Sequence, residues 1–147
     1  NHPWFNIEVL AASGRSAGKT YEESVSGRWA MKTEIPESVK GMTVLDAEKD
    51  AEGIASLVDF VFCAVNMDKA KTKELEEKYA KLECPVMSNN SANRGVSDVP
   101  MIIPEINPDH MAVVENQKQR LGTKRGFISV KSNCSIQSYV PALHPRA

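Results

Sequence analysis

A strand–helix–strand pattern in the middle of the chain is the feature that most constrains its fold. Asp59–Val65 is a nearly unbroken apolar run with β-branched and aromatic residues, which is typical of a strand covered on both faces of a parallel sheet. Asp68–Leu82 has helical periodicity, with an apolar stripe at Leu75, Tyr79 and Leu82. Pro85–Ser88 follows as a short strand. Strand, helix and strand in this order predict a βαβ unit with parallel strands.

The other apolar segments extend this pattern along the chain. Strands are predicted at Ile7–Ala12, Thr43–Leu45, Met101–Ile103 and Phe127–Val130, and a short helix from Pro108 to about Arg120. Residues 21–41 are polar and mixed, which indicates a surface excursion. The expected fold class is therefore α/β, with a partial doubly wound, Rossmann-like and mostly parallel sheet.

A glycine-rich turn that such a fold normally contains does not occur in this sequence. A doubly wound nucleotide-binding domain begins with a strand followed by a GxGxxG turn, which approaches the pyrophosphate. No GxGxxG motif is found in the 147 residues. The simplest interpretation is that the first βα unit is missing, and that Ile7–Ala12 corresponds to the second strand.

Composition and cysteine spacing exclude several classes of protein. The chain carries 18 Lys and Arg against 19 Asp and Glu, a net charge of −1, so no polybasic face indicates nucleic acid or anionic lipid. No apolar run approaches the ~18 residues of a membrane span. Neither the cysteines nor the histidines have metal-ligand spacing, so no metal is expected. The odd number of cysteines, without a targeting segment, favours reduced thiols and the cytoplasm.

Ser13, Arg15 and Ser16 form a small basic loop after the first predicted strand. In a dinucleotide fold this position meets the adenine ribose, where an acidic residue would select NAD. The loop contains no carboxylate, and its guanidinium and hydroxyl groups suit a 2′-phosphate, which favours NADP. An ordinary solvated turn that happens to contain an arginine is the alternative interpretation.

Cys134 follows the last predicted strand, at the point where a helix is expected to start. The partial positive charge and free N–H groups of a helix N-terminus favour a thiolate, so Cys134 is the candidate nucleophile. Asn133 could donate to an oxyanion or a phosphate. Arg94 ends the polar loop Asn89–Arg94, which suits a small anion. The alternatives are a small buried core residue for Cys134, as expected for Cys63, and an ordinary Asn- and Ser-rich turn for the loop.

Four segments together resemble the aspartate-semialdehyde dehydrogenases in their order and spacing. They are Ser13–Lys19, Ser88–Arg94, Asp98–His110 and Ser132–Ser135. The Asn-Cys-Ser signature and the Ile-Pro-Glu-Ile-Asn-Pro segment are specific to that family, whereas the Ser/Arg loop alone is not. The resemblance covers nearly the whole chain, from about residue 1 to 143.

The resemblance implies an NADP-dependent enzyme that converts L-aspartyl 4-phosphate reversibly to L-aspartate 4-semialdehyde, in lysine, threonine and methionine biosynthesis. It implies that Cys134 is the catalytic nucleophile and carries a thioester, and that Arg94 and Asn133 bind the substrate or phosphate. It further implies that the 2′-phosphate of NADP is surrounded by Ser13, Arg15 and Ser16.

The resemblance also implies that the chain is only part of such an enzyme. Residues 1–132 would be a partial NADP-binding domain, and residues 133–147 the beginning of an α+β catalytic and dimerisation domain. The acid–base histidine would lie outside the chain, which is expected to be inactive alone and a dimer or tetramer at full length. A related reductase of N-acetyl-glutamyl phosphate or malonyl-coenzyme A, or a non-enzymatic nucleotide-binding fragment, is the alternative.

Overall fold

The structure, a computed structural model, describes residues 2–144 and consists of two compact units that divide after Val58. Each unit has its own parallel strands and its own buried side chains, and each is described by itself. Parallel strands alternating with helices confirm the predicted α/β fold class. Within residues 2–144, no helix is both long enough and apolar enough to cross a membrane.

The first unit is built on a short parallel sheet. Strand β1 (Ala11–Ala12) pairs with β2 (Leu45–Asp46). Its helices are α1 (Tyr21–Val25), α2 (Glu37–Lys40) and α3 (Ala51–Leu57). Its buried apolar side chains are those of Val39, Val44, Ala47, Ala51 and Ile54.

Three sequence predictions for this unit need correction. The strand predicted at Ile7–Ala12 is limited to Ala11 and Ala12, because its partner β2 is only two residues long, and Ile7 is 52% exposed. The weak strand predicted at Thr43–Leu45 begins at Leu45. The third correction is an omission: helix α3 is not predicted by the sequence pattern, because its seven residues are few and include Gly53.

The second unit contains a four-stranded sheet, within the described residues, whose paired strands are all parallel. Its strands are β3 (Val61–Cys63), β4 (Val86–Ser88), β5 (Met101–Ile102) and β6 (Ile128–Lys131). The spatial order is β3-β4-β6-β5, so β6 is inserted between two strands that precede it in sequence. The carboxyl ends of β4 and β6 are therefore neighbours, with Ser88 in register with Val130.

Helices join these strands as the sequence predicts. Helix α4 (Lys69–Lys81) connects β3 to β4 and confirms the βαβ unit. The predicted helix after Pro108 is a 3₁₀ helix, Pro108–Val113, that continues into α5 (Val114–Leu121). Helix α6 (Cys134–Leu143) follows β6. The core of the unit includes Leu75, Tyr79, Val86, Ile128 and Val130.

Strand β3 differs from the prediction in length and in burial. It spans only Val61–Cys63 of the predicted Asp59–Val65. Cys63 is buried, but Phe62 is 71% exposed, so β3 is not buried on both of its faces within its own unit. Successive side chains of a strand point to opposite faces, which explains why Cys63 and Phe62 differ so strongly.

A glycine allows α4 and β6 to approach closely. A Cβ atom on Gly126 would lie 1.8 Å from the backbone oxygen of Ala80, a distance that no side chain could tolerate. Gly126 also donates its backbone N–H to the Glu83 carboxylate, as do Lys124 and Arg125. These three N–H donors hold the pKa of Glu83 below its usual range, with Arg125 contributing most.

Candidate functional site

The predicted cofactor-binding residues of the first unit line one cavity. Ser13, Arg15 and Ser16 surround a volume of about 360 Å³. The remaining lining residues come from the segment that follows: Lys19, Glu23, Ser24, Ser26 and Arg28. The structure therefore brings the three predicted residues together and adds cationic and hydroxyl groups to them.

The loop that carries these residues is held at both ends by backbone hydrogen bonds. The N–H of Ser16 donates to the oxygen of Ser13 at 2.9 Å, which closes a turn directly after β1. Gly18 has a left-handed backbone, with φ of 83°, and donates to the oxygen of Val44 at 2.8 Å. The residue at position 18 must tolerate this φ, which favours glycine. The loop is thus a fixed turn that presents Arg15 to solvent.

The cavity has an excess of positive charge. Arg15, Lys19 and Arg28 contribute three cations, against one carboxylate from Glu23. That carboxylate is already used, because it accepts the N–H of Thr20 at 2.9 Å in the capping box of α1. This hydrogen bond is the main reason that the pKa of Glu23 lies below its usual range. A dianionic phosphate monoester would match both the charge and the hydroxyl donors.

Two cations of the cavity, Lys19 and Arg28, are not among the site residues that the sequence predicts. Lys19 belongs to the recognised Ser/Arg loop, so its proximity to Arg15 could have been anticipated. Arg28 follows α1 in the sequence and lines the same cavity. Its guanidinium donates to the backbone oxygen of Ser24 on the same side of the cavity. The two residues are only four apart in the sequence, but no motif identifies the contact.

Cys134 is exposed at the start of α6, where the sequence predicts it. The side chain of Asn133 is the N-cap of this helix and accepts the N–H of Ser135 at 2.9 Å. The Sγ atom of Cys134 lies 4.0 Å from Oδ1 of Asn133. Within residues 2–144, Cys134 is not buried, unlike Cys63 and Cys84. A nucleophile here would be accessible and next to a helix N-terminus.

The other two cysteines are buried, as predicted for core residues. Burial is the main cause that raises the pKa of Cys63, to about 11, and the nearby Glu76 raises it further. Burial also raises the pKa of Cys84. Both thiols are therefore protonated near neutral pH, which makes them poor nucleophiles.

Arg94 reaches from the loop after β4 to the end of β6. Its Nε donates to the oxygen of Lys131 at 3.0 Å, and its Nη2 donates to the oxygens of Asn89 and Ser132 at 3.3 and 3.5 Å. Nη1 makes no hydrogen bond within residues 2–144 and is available to an anion. Arg94 is thus fixed against the two residues that precede Asn133, beside the start of α6.

A buried carboxylate supports the loop that ends in Arg94. Glu76 on α4 is fully buried, and its oxygens accept hydrogen bonds from Ser88, Asn90 and Asn93. Sequence reasoning did not identify Glu76. The available signal is that position 76 lies on the same face of α4 as Leu75 and Tyr79, where a carboxylate requires buried donors.

The site residues therefore fall into two groups, one in each unit. Ser13, Arg15 and Ser16 belong to the first unit. Arg94, Asn133 and Cys134 belong to the second unit, where Arg94 contacts the residue directly before Asn133. No group of three metal-ligating side chains occurs among residues 2–144.

Comparison with known sequences identifies the family of the chain. The family model described as semialdehyde dehydrogenase, NAD binding domain, matches residues 1–114. The chain belongs to the semialdehyde dehydrogenase family. An aspartate-semialdehyde dehydrogenase from Methanothermobacter thermautotrophicus is 41% identical over 144 residues, which cover 98% of this chain and 39% of that protein. A malonyl-CoA reductase (NADP) from Metallosphaera sedula is 34% identical over 145 residues, covering 99% of this chain and 38% of that protein.

Solved structures of semialdehyde dehydrogenases share the fold. A crystal structure of the Candida albicans aspartate-semialdehyde dehydrogenase with NADP has a TM-score of 0.79 and 35% identity, over 97% of this chain and 39% of that one. Aspartate-semialdehyde dehydrogenase II from Vibrio cholerae, complexed with ASA, has a TM-score of 0.60 and 26% identity, over 92% and 35% of the two chains. This chain thus spans about two fifths of the length of the relatives it matches.

Proposed function

We propose that this chain is the cofactor-binding part, and the start of the catalytic part, of an NADP-dependent aspartate-semialdehyde dehydrogenase. The observation that carries the proposal is the exposed Cys134 at the start of α6, with Arg94 held against the residues before it. The relatives of that name, which match nearly the whole chain, support the same activity. The complete enzyme would interconvert L-aspartyl 4-phosphate and L-aspartate 4-semialdehyde plus phosphate.

In this proposal, Cys134 is the nucleophile. Its thiolate forms a bond to the acyl carbon of aspartyl phosphate, the bond from that carbon to the phosphate oxygen breaks, and inorganic phosphate leaves with the electron pair. Cys134 is then a thioester. The free Nη1 of Arg94 would bind the phosphate oxygens, and the side-chain amide of Asn133, next to Cys134, would donate to the same anion.

The cavity between β1 and Arg28 fits the adenosine end of NADP. The cations Arg15, Lys19 and Arg28, with the hydroxyls of Ser13 and Ser16, would hold the 2′-phosphate. A second and more apolar cavity of about 560 Å³ shares residues with the first, and its wall includes Tyr21, Trp29 and Met31. Such a wall suits an adenine ring. When bound, NADP supplies or accepts the hydride of the reaction.

The test of the nucleophile is Cys134→Ser in the complete enzyme. The hydroxyl has nearly the same size but is a far weaker nucleophile without an adjacent base. We expect normal folding, unchanged NADPH binding, and turnover reduced by at least about 10³-fold, since covalent catalysis is lost. Turnover within tenfold of the wild-type enzyme would eliminate Cys134 as the nucleophile.

Cys84→Ser is the matched control, because Cys84 is buried away from the solvent and outside the proposed site. It buries a hydroxyl in place of a thiol, so thermal stability is expected to fall while turnover per folded enzyme is retained. Loss of turnover in both variants, at equal folded fractions, would show that the assay reports general damage.

The second candidate function is that of a related acyl-CoA reductase. The similarity to the malonyl-CoA reductase of M. sedula supports this activity, because nearly the whole chain matches that protein as well as the aspartate-semialdehyde dehydrogenases. The same cysteine chemistry would then release coenzyme A instead of phosphate. Assays of the complete enzyme with aspartyl phosphate and with malonyl-CoA distinguish the two activities.

The remaining parts of the proposal concern the context of the chain. We assign residues 1–132 to the NADP-binding domain and residues 133–147 to the start of a catalytic domain that also forms the dimer or tetramer. The role would be in lysine, threonine and methionine biosynthesis. The three unpaired cysteines are in keeping with the reducing cytoplasm.

A further inference from the structure

Glu76 is an unusual residue for the position that it occupies. It is 0% exposed on the inner face of α4. An ionised carboxylate in such a place is costly unless several donors satisfy it. Within residues 2–144 no lysine, arginine or histidine nitrogen forms an ion pair with it. Its stabilisation therefore depends on hydrogen bonds from neutral side chains.

Three donors to Glu76 come from the end of β4 and the loop that follows. Ser88 Oγ donates to Oε1 at 2.5 Å, and Asn90 Nδ2 donates to the same oxygen at 3.1 Å. Asn93 Nδ2 donates to Oε2 at 2.7 Å, and Asn93 is itself 0% exposed. Ser88 also accepts the backbone N–H of Asn90 at 3.0 Å, so its hydroxyl hydrogen is free to point at Glu76. The Glu76 carboxylate thus holds the loop at two residues, Asn90 and Asn93.

Arg94 directly follows the second of these two residues. The hydrogen bond from Asn93 to Glu76 fixes the backbone from which the Arg94 side chain extends. The guanidinium then spans to the oxygens of Lys131 and Ser132 at the end of β6. Glu76 is fixed within α4, whereas the loop has no regular secondary structure of its own. We infer that the position of Arg94 against the end of β6 depends on Glu76.

We propose that Glu76 is a positioning residue for anion binding: by holding Asn90 and Asn93 it keeps the Arg94 guanidinium where it receives the phosphate group. The proposal rests on the function proposed above, in which Arg94 binds phosphate. Glu76 is fully buried, so in this proposal it acts through the loop and not by touching the substrate. The proposal predicts that Glu76 affects the affinity for phosphate and leaves the affinity for NADPH unchanged.

The test measures phosphate kinetics of the complete enzyme in the direction that consumes phosphate. In Glu76→Leu the loop loses the hydrogen bonds that the carboxylate accepts from Asn90 and Asn93, and Asn90 keeps only its contact with Cys63. We expect the KM for inorganic phosphate to rise about tenfold, as for the loss of one charge-assisted contact, while kcat changes less than about threefold. The Kd for NADPH, from fluorescence titration, should remain that of the wild-type enzyme.

Glu76→Gln is expected to rescue phosphate binding. Its amide oxygen can still accept from Ser88 and Asn90. Its amide nitrogen would face Asn93, whose Oδ1 is buried without a hydrogen-bond partner within residues 2–144. A rotation of the Asn93 amide would allow that oxygen to accept from glutamine. The KM for phosphate should therefore stay within about threefold of the wild-type value, because the loop stays held at Asn90 and Asn93.

Glu77→Leu is the matched control on the same helix. Glu77 forms a surface ion pair with Arg120 at 3.3 Å and does not contact the loop. Its substitution should leave the KM for phosphate unchanged. A rise in KM equal to that of Glu76→Leu would show that any leucine on α4 has the same effect, and would overturn the proposal.

A double-mutant cycle with Arg94→Ala separates positioning from general structural damage. If Glu76 acts through Arg94, Glu76→Leu should raise the KM for phosphate in the wild-type background and not in the Arg94→Ala background. Equal rises in both backgrounds would overturn the proposal. If Glu76→Leu does not yield folded protein, Asn93→Ala takes its place in the same cycle, with the same two outcomes.

The cycle also distinguishes failure of this proposal from failure of the proposed function. An Arg94→Ala enzyme with a normal KM for phosphate would overturn the phosphate-binding role of Arg94 in the proposed function, and with it the positioning role of Glu76. A raised KM in Arg94→Ala together with a normal KM in Glu76→Leu would overturn only the positioning role of Glu76.

Discussion

Replacement of Arg15 by alanine should weaken the binding of NADPH far more than that of NADH. The cofactors differ only in the 2′-phosphate, and in the proposed complex Arg15 would contact that group with Lys19 and Arg28 nearby. A charge-assisted hydrogen bond contributes ~1.5–3 kcal/mol. Arg15 is exposed and two cations remain after its removal, so we expect the lower limit, about 1.5 kcal/mol or roughly tenfold in Kd.

Binding of each cofactor to the complete enzyme can be measured by fluorescence titration. NADH affinity should change less than about twofold, since no phosphate contact is lost. Lys49→Ala is the matched control, because Lys49 is an exposed lysine of the same unit that does not line the cavity. It should leave both affinities unchanged.

Salt provides an independent check on the electrostatic origin of the effect. Raising the ionic strength shortens the screening length from ~10 Å at 0.1 M to ~3 Å at 1 M. The difference between wild-type and Arg15→Ala enzymes for NADPH should therefore shrink as salt is added. Equal losses for NADPH and NADH at low salt would refute the assignment of this cavity to the 2′-phosphate.

Two further predictions concern stability and are measured by chemical and thermal unfolding. Gly126→Ala should lower the free energy of unfolding by ~3 kcal/mol or more, the upper range for overpacking, because its Cβ would meet the backbone of Ala80. Gly53→Ala, in open space on α3, is the control and should raise the free energy of unfolding or leave it unchanged. Similar losses of stability in both variants would contradict the steric argument. The lowered folded-state pKa of Glu83 means that its carboxylate stabilises the fold above the ordinary glutamate pKa, and that this contribution is lost as the pH falls through the folded-state pKa. Glu83→Gln should therefore have a lower Tm than the wild type at pH 7, with the difference shrinking towards pH 3, whereas a difference independent of pH would refute the role of the charge.

Short-range patterns in the sequence were sufficient for the βαβ unit and for the position of the nucleophile. The apolar run before α4 and the stripe that includes Leu75 and Tyr79 depend on neighbouring residues only, so periodicity predicts them. The placement of Cys134 at a helix start likewise follows from a strand ending a few residues earlier. The segment Ser13–Ser16 is recognisable because its charge and hydroxyl groups are close together in sequence.

Only the tertiary structure determined which distant residues share a site. Strand β6 lies between β4 and β5, an order that no local pattern contains, and this order puts Lys131 within reach of Arg94. Arg28 lines the same cavity as Arg15, although α1 lies between them in the sequence. Glu76 reads in sequence as one of several charged residues of a helix. Glu76 is buried because its face of α4 packs against the sheet and the loop. This packing joins residues that are far apart in the sequence, so no short segment predicts it.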